Sequence, residues 1–297
     1  MDSVLVLIAA PGSGAISAEV VEMLQGFGAE TPRWLAEGEA LEVPAFAAVP
    51  EFLEAIRGAA IDANLVPAQN RAKRLLIADM DSTMIQQECI DELGVMAGIG
   101  DHIKQITARA MRGELDFEGA LLERVKLLKG LDQGIIGKII RERISFMPGG
   151  KTLIATMKAH GAYTALVSGG FTPFTERVAA ELGFDEQQAN GLIIEDGVLT
   201  GAVEYPILGQ QAKLEALRRI AARLGISSLD AIAVGDGAND LAMLGEAGMG
   251  VALHAKPQVQ AEARFRINHG DLTALLYLQG YEKAAFGKGA DAEGDRT

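Results

Sequence analysis

The sequence predicts an α/β protein: a doubly wound parallel sheet, interrupted by a helical cap and preceded by a small α+β unit. Short runs, apolar throughout at Leu75–Ala78 and Ala231–Val234 and mostly so at Tyr163–Val167, have the length and character of strands buried on both faces. Each run ends abruptly, in Asp79-Met-Asp-Ser-Thr83, Ser168-Gly-Gly170 and Gly235-Asp-Gly-Ala-Asn-Asp240. Between the first run and the second, the stretch from Gln86 to Ser145 is helical in pattern almost throughout.

Bulk composition narrows the function. The chain has 297 residues, 49% of them hydrophobic, which suffices for two domains and a sizeable core. A formal net charge of −13 argues against nucleic acid and against an anionic membrane surface as partners. A phosphate-bearing substrate then needs local positive charge or a metal at its site. Cys89 is the only cysteine, which excludes an internal disulfide and a thiolate metal cluster. No apolar run approaches the roughly 20 residues that span a bilayer. The N-terminus lacks a basic segment with a cleavage-site pattern, so no leader is expected and the cytoplasm is the expected compartment.

Residues 1–70 form the expected N-terminal domain. Val4–Ala9 reads as a strand, Ala10–Gly14 as a turn and Ala18–Phe27 as a helix. Ala40–Ala48 reads as a further strand, Pro50 opens a second helix, and Asn64–Asn70 reads as a linker. The Gly12-x-Gly14 turn has Ser17 where a dinucleotide fingerprint needs its third glycine, so it is read as a tight turn. In its alternation of strand and helix this segment resembles a degenerate ACT-type regulatory domain.

The main domain is expected over residues 71–284, with the cap at about 86–147 and a disordered tail at 285–297. Asp79 and Asp81 stand just past the carboxyl end of the first strand, where open parallel sheets bind ligands. Close carboxylates repel unless a cation or proton intervenes, so they are better placed for chemistry than for stability. Within the cap, helices are expected near 85–97, 101–112, 116–129 and 132–143, with Asp101 and Asp116 at N-termini. At about 100° per residue, Phe117, Ala120, Leu121, Val125, Leu128 and Leu131 form an apolar arc with Arg124 near its middle. Two readings of Arg124 stand: a snorkelling side chain, or a fork that binds carboxylate or phosphate. Glu88 lies at the edge of an apolar face, and Cys89 reads as a packing residue.

Beyond the cap, Ser168-Gly169 precede a helix capped by Thr172, with Pro173 in its first turn, where an anion can meet a positive helix end. Asp196-Gly197 between apolar runs reads as a hairpin turn. Lys213 falls near a helix N-terminus, where the dipole disfavours a cation; by residue pattern alone it reads as a surface lysine. Asp236 follows the third strand and can complete a Mg²⁺ site with Asp79, since Mg²⁺ takes oxygen ligands and keeps several waters.

Asp79-Met-Asp-Ser-Thr83, Ser168-Gly169, Lys213 and Gly235–Asp240 occur in the order found in the haloacid dehalogenase superfamily of phosphotransferases. Over roughly residues 70 to 275 the chain resembles this superfamily, and within it the members that hydrolyse phosphoserine. The resemblance implies a Rossmann-like core with a helical cap, and hydrolysis of O-phosphoserine with Mg²⁺ as cofactor. It implies Asp79 as nucleophile and Asp81 as general acid and base. It implies a metal site of Asp79, the Asp81 backbone carbonyl and Asp236, with Asp240 supporting the metal or the lysine. Ser168, Gly169 and Lys213 would bind phosphate, Glu88 and Arg124 the substrate amine and carboxylate, and Asn239 the substrate side. A homodimer is compatible with the resemblance. Competing readings are a phosphatase or phosphotransferase acting on another small substrate, and a ligand sensor built on an inactive fold.

Overall fold

The structure is a computed structural model that describes residues 3–112 and 114–287. Its first sheet is built by β1 (Ser3–Ala9), β2 (Arg33–Ala36), β3 (Ala40–Pro44) and β4 (Ile61–Pro67), with α1 (Ala18–Gly26) and α2 (Val49–Ala55) between them. The strands run antiparallel in the order β2-β3-β1-β4. Leu5 and Leu7 of β1 pack with Leu24 of α1 and Phe52 of α2 in a core of its own. The expected alternation of strand and helix is therefore present, with two differences. The strand expected over residues 40–48 stops at Pro44, and the supposed linker is strand through Pro67. Burial alternates along that segment, Leu65 being 45% exposed and Val66 fully buried. This period of two is a stronger signal than the loop propensity of Asn64 and Pro67.

The main sheet follows the strand order β12-β11-β10-β5-β6-β7 and is parallel throughout. Its first strand, β5 (Leu75–Ala78), leads into the cap helices α3 (Cys89–Met96), α4 (Gly100–Met111), α5 (Phe117–Lys126) and α6 (Gly134–Glu142). Asp116 caps α5, its Oδ1 accepting from the Gly119 N–H at 2.7 Å. Asp101 instead sits in the first turn of α4, with Ile99 at the cap position. The chain returns through α7 (Gly150–Ala159) to β6 (Tyr163–Phe171), α8 (Thr172–Leu182) and β7 (Glu186–Asn190). Phe171, not Thr172, holds the cap position of α8. A hairpin of β8 (Leu192–Glu195) and β9 (Val198–Val203) turns at Asp196 and Gly197, both with positive φ, as expected.

The remaining strands extend the sheet on the other side of β5. They are β10 (Ala231–Gly235), β11 (Met249–Leu253) and β12 (Phe265–Ile267), connected by α9 (Gln210–Leu224), α10 (Leu241–Glu246) and α11 (Pro257–Glu262) and closed by α12 (Ala274–Leu278). β5 thus lies between β6 and β10, where the winding of the sheet reverses. Such a switch point opens a crevice at the strands' carboxyl ends, and the three motif segments lie at the carboxyl ends of β5, β6 and β10. Residues 285–287, expected to begin the tail, are ordered: Gly287 N–H donates to Thr156 Oγ1 at 2.8 Å. The rest of the expected tail lies outside the described residues.

The two sheets are joined by buried polar contacts. The Asp62 carboxylate of β4 accepts three N–H groups, from Asn268, His269 and Gly270, at 2.7, 2.9 and 2.8 Å. The Asn64 side chain both donates to Arg266 O and accepts from Arg266 N, each at 2.9 Å, as a neighbouring strand would do for the edge strand β12. Tyr277 of α12 donates to Glu39 at 2.7 Å, and Arg71 pairs with Glu42 at 2.6 Å. Asp62→Ala removes a buried carboxylate that three N–H groups share, one of them buried, and should lower stability by about 2 kcal/mol, read as a fall in the chemical-denaturation midpoint. A midpoint equal to wild type would show that the loop after β12 does not need this carboxylate.

Candidate active site

The site begins with backbone geometry at the end of β5. Asp79 N–H still pairs with Val234 O of β10 at 3.0 Å, which fixes the Asp79 carboxylate over the crevice. The chain then turns tightly, with Thr83, Met84 and Ile85 N–H groups all reaching Met80 O. Ser82 takes φ +54 in this turn, and its hydroxyl donates to Glu88 Oε1 at 2.9 Å. Asp81 Oδ1 accepts from Cys89 N–H, the start of α3, at 3.0 Å. One short loop therefore aims Asp79, Asp81 and Glu88 into the same crevice.

Opposite them, Ser168 Oγ accepts from Gly170 N–H at 2.9 Å. Its own hydroxyl proton is left to point elsewhere. Gly170 has no room for a side chain: a Cβ there would lie 2.7 Å from Asp81 Oδ2. Gly235 is constrained in the same way, since a Cβ would come within 2.3 Å of Asp240 Cγ.

Lys213 is the principal surprise relative to its residue pattern. Read as a surface lysine, it is 1% exposed. Its Nζ lies 2.7 Å from Asp79 Oδ1 and 2.7 Å from Asp240 Oδ1. The first turn of α9 thus drives an ammonium between two buried acids, which outweighs the unfavourable helix dipole. Burial disfavours the charge on Lys213, but Asp240 and Asp79 more than offset this and raise its pKa. Asp240 is pushed up to about 7 by burial and by Asp79, with Lys213 pulling the other way. Asp81 is pushed up to about 8, first by burial and then by Glu88. Burial also raises Glu88, with Asp236 adding to it.

The cavity brings together most of the expected residues: Asp79, Asp81, Glu88 and Arg124 line it, as do Ser168, Gly169, Asp236 and Asn239. Lys213 lies beneath them. Arg124 projects from α5 with its Nε donating to Ala120 O at 3.1 Å. Among the described residues no carboxylate lies within 4.0 Å of its guanidinium, and burial lowers its pKa against the pull of Asp91, Glu88 and Asp81. Arg124 lines the cavity, an arrangement that both readings of this side chain allow.

Three further residues escaped the sequence reading. Phe117, counted in the apolar arc, is 36% exposed and lines the cavity, its ring so placed that a Cβ at Gly169 or Gly209 would come within 3.0 or 3.2 Å of it. Asn190 is 2% exposed and donates to Gly169 O at 2.8 Å while accepting from Leu208 N–H at 2.7 Å, so it ties the Ser168 loop to the approach of α9. Lys256, after β11, places Nζ 3.4 Å from Asp236 Oδ2. Asn190 carried a faint signal as a polar residue ending a strand; Lys256 stood at a strand's carboxyl end before Pro257.

Ligand atoms of Asp79, Asp236 and Asp240 lie within 4.8 Å of one another, and all three residues are buried. This group could hold a metal ion. Its donors are carboxylate oxygens without His or Cys, which suits a hard cation. Asp240 already commits Oδ1 to Lys213 and Oδ2 to Gly237 N–H, leaving Asp79 and Asp236 as the freer pair. The Asp81 carboxylate is turned toward α3 and stands outside this group.

Comparison with known proteins agrees with this geometry. Residues 76–245 match the family model of haloacid dehalogenase-like hydrolases. A phosphoserine phosphatase of Haemophilus influenzae is 48% identical over 204 residues, covering 69% of this chain and 65% of that protein. One of Streptomyces coelicolor is 47% identical over 210 residues, covering 71% of this chain and 51% of that protein. The matched segment therefore spans about half to two thirds of these relatives. The crystal structure of a haloacid dehalogenase family hydrolase from Salmonella enterica superposes with a TM-score of 0.83 at 34% identity, covering 93% of this chain and 98% of that one. Among the described residues no helix is long and apolar enough to cross a membrane. The switch-point crevice, its acids and the buried lysine are thus set in a known frame: the chain belongs to the haloacid dehalogenase-like hydrolase family.

Proposed function

We propose that this protein hydrolyses O-phosphoserine to serine and phosphate through an aspartyl-phosphate at Asp79. The observation that carries the reading is the pairing across one cavity: Asp79 pinned by Lys213 on the core side, Arg124 and Glu88 facing it from the cap side. The names of the relatives above point the same way. Residues 71–284 form the catalytic domain in this reading. Residues 1–70 form a separate domain to which we assign no catalytic group, and the reaction belongs in the cytoplasm.

An oxygen of Asp79 attacks phosphorus as the bond to the serine oxygen breaks. A carboxylate meeting a phosphate dianion at 4 Å faces repulsion of about 8 kcal/mol at an effective dielectric of about 20. Lys213 offsets part of this, and the Ser168 hydroxyl and the Gly169 backbone receive the phosphoryl oxygens. A Mg²⁺ ion held by Asp79, Asp236 and the Asp81 carbonyl would supply the remaining charge stabilisation. Asp81, protonated at neutral pH because burial raises it, gives its proton to the departing serine oxygen. It later takes one from the water that cleaves the aspartyl-phosphate and restores Asp79. Glu88 receives the substrate ammonium, Arg124 the carboxylate, and Asn239 lies beside the substrate.

The nucleophile is tested by Asp79→Asn, which should abolish turnover because an amide cannot form the acyl phosphate. More than about a hundredth of wild-type activity, with deamidation excluded by mass spectrometry, would remove Asp79 from that role. For specificity, Arg124→Ala should weaken kcat/KM for phosphoserine by roughly ten- to a hundredfold, the value of one charge-assisted bond. An aryl phosphate should be nearly unaffected, and Arg124→Lys should recover only part of the loss. Phosphoethanolamine lacks the carboxylate, so wild type should discriminate against it and the alanine variant should not; an unchanged ratio refutes carboxylate binding by Arg124. For the acid, phosphoserine turnover should fall as pH rises through the Asp81 pKa and the donated proton is lost. An aryl phosphate, whose leaving group needs no proton, should lack that limb, and parallel profiles would exclude Asp81 as the donor.

A further inference from the structure

Lys256 is placed by two separate contacts with one residue. Its backbone N–H donates to Asp236 O at 3.2 Å, and its Nζ lies 3.4 Å from Asp236 Oδ2. The first contact anchors the chain after β11, and Pro257 at the start of α11 fixes the backbone beyond it. The ammonium therefore reaches Asp236 from a held base. Yet its side chain is 53% exposed, against 10% for Asp236, so it comes to the acid from the open side of the cavity. Lys213 differs on both counts: it is almost wholly buried and clamped between two acids. Around Lys256 the charged groups are Asp236, Glu88 and Asp240; among the described residues only Asp236 lies within ion-pair reach.

Asp236 belongs to the group whose oxygens could hold a metal ion. A divalent cation there would share this carboxylate with an ammonium that repels it. Lys213 cannot withdraw, whereas a half-exposed lysine can swing into water at little cost. We propose that Lys256 is a positioning residue that stands in for the cation at Asp236: it holds the carboxylate while the metal is absent and releases it on metal binding, and so sets the metal affinity. This rests on the reading of Asp79 and Asp236 as ligands of a divalent cation. The consequence is an exchange of one cation for another, with Asp236 never left buried and unpaired.

The test uses the full chain with Lys256→Met, which keeps the stem and removes the charge. Mg²⁺ alone, without substrate, is titrated by calorimetry, and thermal unfolding is followed with and without saturating Mg²⁺. The variant should bind Mg²⁺ about tenfold more tightly, within the usual range of coupling between two competing ligands. Its Tm should lie below wild type without metal and meet wild type at saturation, since the lost ion pair is one that the metal-bound protein no longer makes. Lys256→Arg should restore the wild-type Kd. An unchanged or weaker Kd in the methionine variant overturns the proposal. So does a Tm deficit of equal size with and without Mg²⁺, which marks a lysine that only packs. If neither protein binds Mg²⁺, the metal reading itself falls and this inference with it; measurable but equal affinities sink the role of Lys256 alone.

Discussion

The ammonium of Lys213 between Asp79 and Asp240 is the interaction on which the rest of the site depends. Both acids are buried, and without a cation between them their repulsion would drive one to take a proton. Lys213 holds Asp79 Oδ1 at the end of β5. A buried pair of this kind adds little to net stability, because desolvation consumes most of the attraction. Its value is positional: it fixes which oxygen of Asp79 is tied down. It also joins α9 to β5 and, through Asp240, to the loop after β10. Three elements far apart in sequence are thereby registered to one atom.

The surrounding backbone is shaped to allow this concentration of charge. The close approaches at Gly170 and Gly235 bring Asp81 and Asp240 against main chain that carries no side chain to displace them. Asn190 then braces the Ser168 loop against the approach to α9. The result is a crevice with more acid than base, prepared for an anion only where Lys213, Arg124 and Lys256 lie. Those placed cations are what a chain with a net charge of −13 needs for the phosphate chemistry proposed above. The global field repels a dianion, and a few placed cations overcome it at short range.

How much of this was legible in the sequence follows from the kind of signal each feature leaves. The central strands were readable because burial on both faces demands an unbroken apolar run, as in Leu75–Ala78. Their acidic and glycine-rich ends were readable because the carboxyl ends of such strands are where ligands bind. β4 was misread because Asn64 and Pro67 have loop propensity, whereas Asn64 is used to pair with β12. By residue pattern alone Lys213 reads as a surface lysine, because helix position says nothing about what lies opposite; the motif order of the resemblance pointed to it as a site residue, and its partners are brought in by a strand and a loop elsewhere in the chain. Lys256 and Asn190 left only a faint local signal, their place at strand ends, since their meaning lies in the residues that they meet. Arg124 is the intermediate case: its helical phase exposed a conflict, and the structure sets it on the wall of the cavity.

The grip of Asp62 on the loop after β12 has a consequence for the order in which the molecule is made. The carboxylate and its three donors are separated by 206 to 208 residues. At ordinary translation speeds of about 5–20 residues per second, Asp62 leaves the ribosome roughly 10–40 s before its partners exist. For that interval the first sheet can close its own core around Leu5, Leu24 and Phe52, while the Asp62 and Asn64 side of β4 stays in water. The nascent sheet is thus a waiting half, with charge where a bare apolar edge would invite pairing with another chain. Its docking surface becomes buried only when the last strand of the main sheet has emerged, so a sheet made before the main one is among the last parts to be fully desolvated.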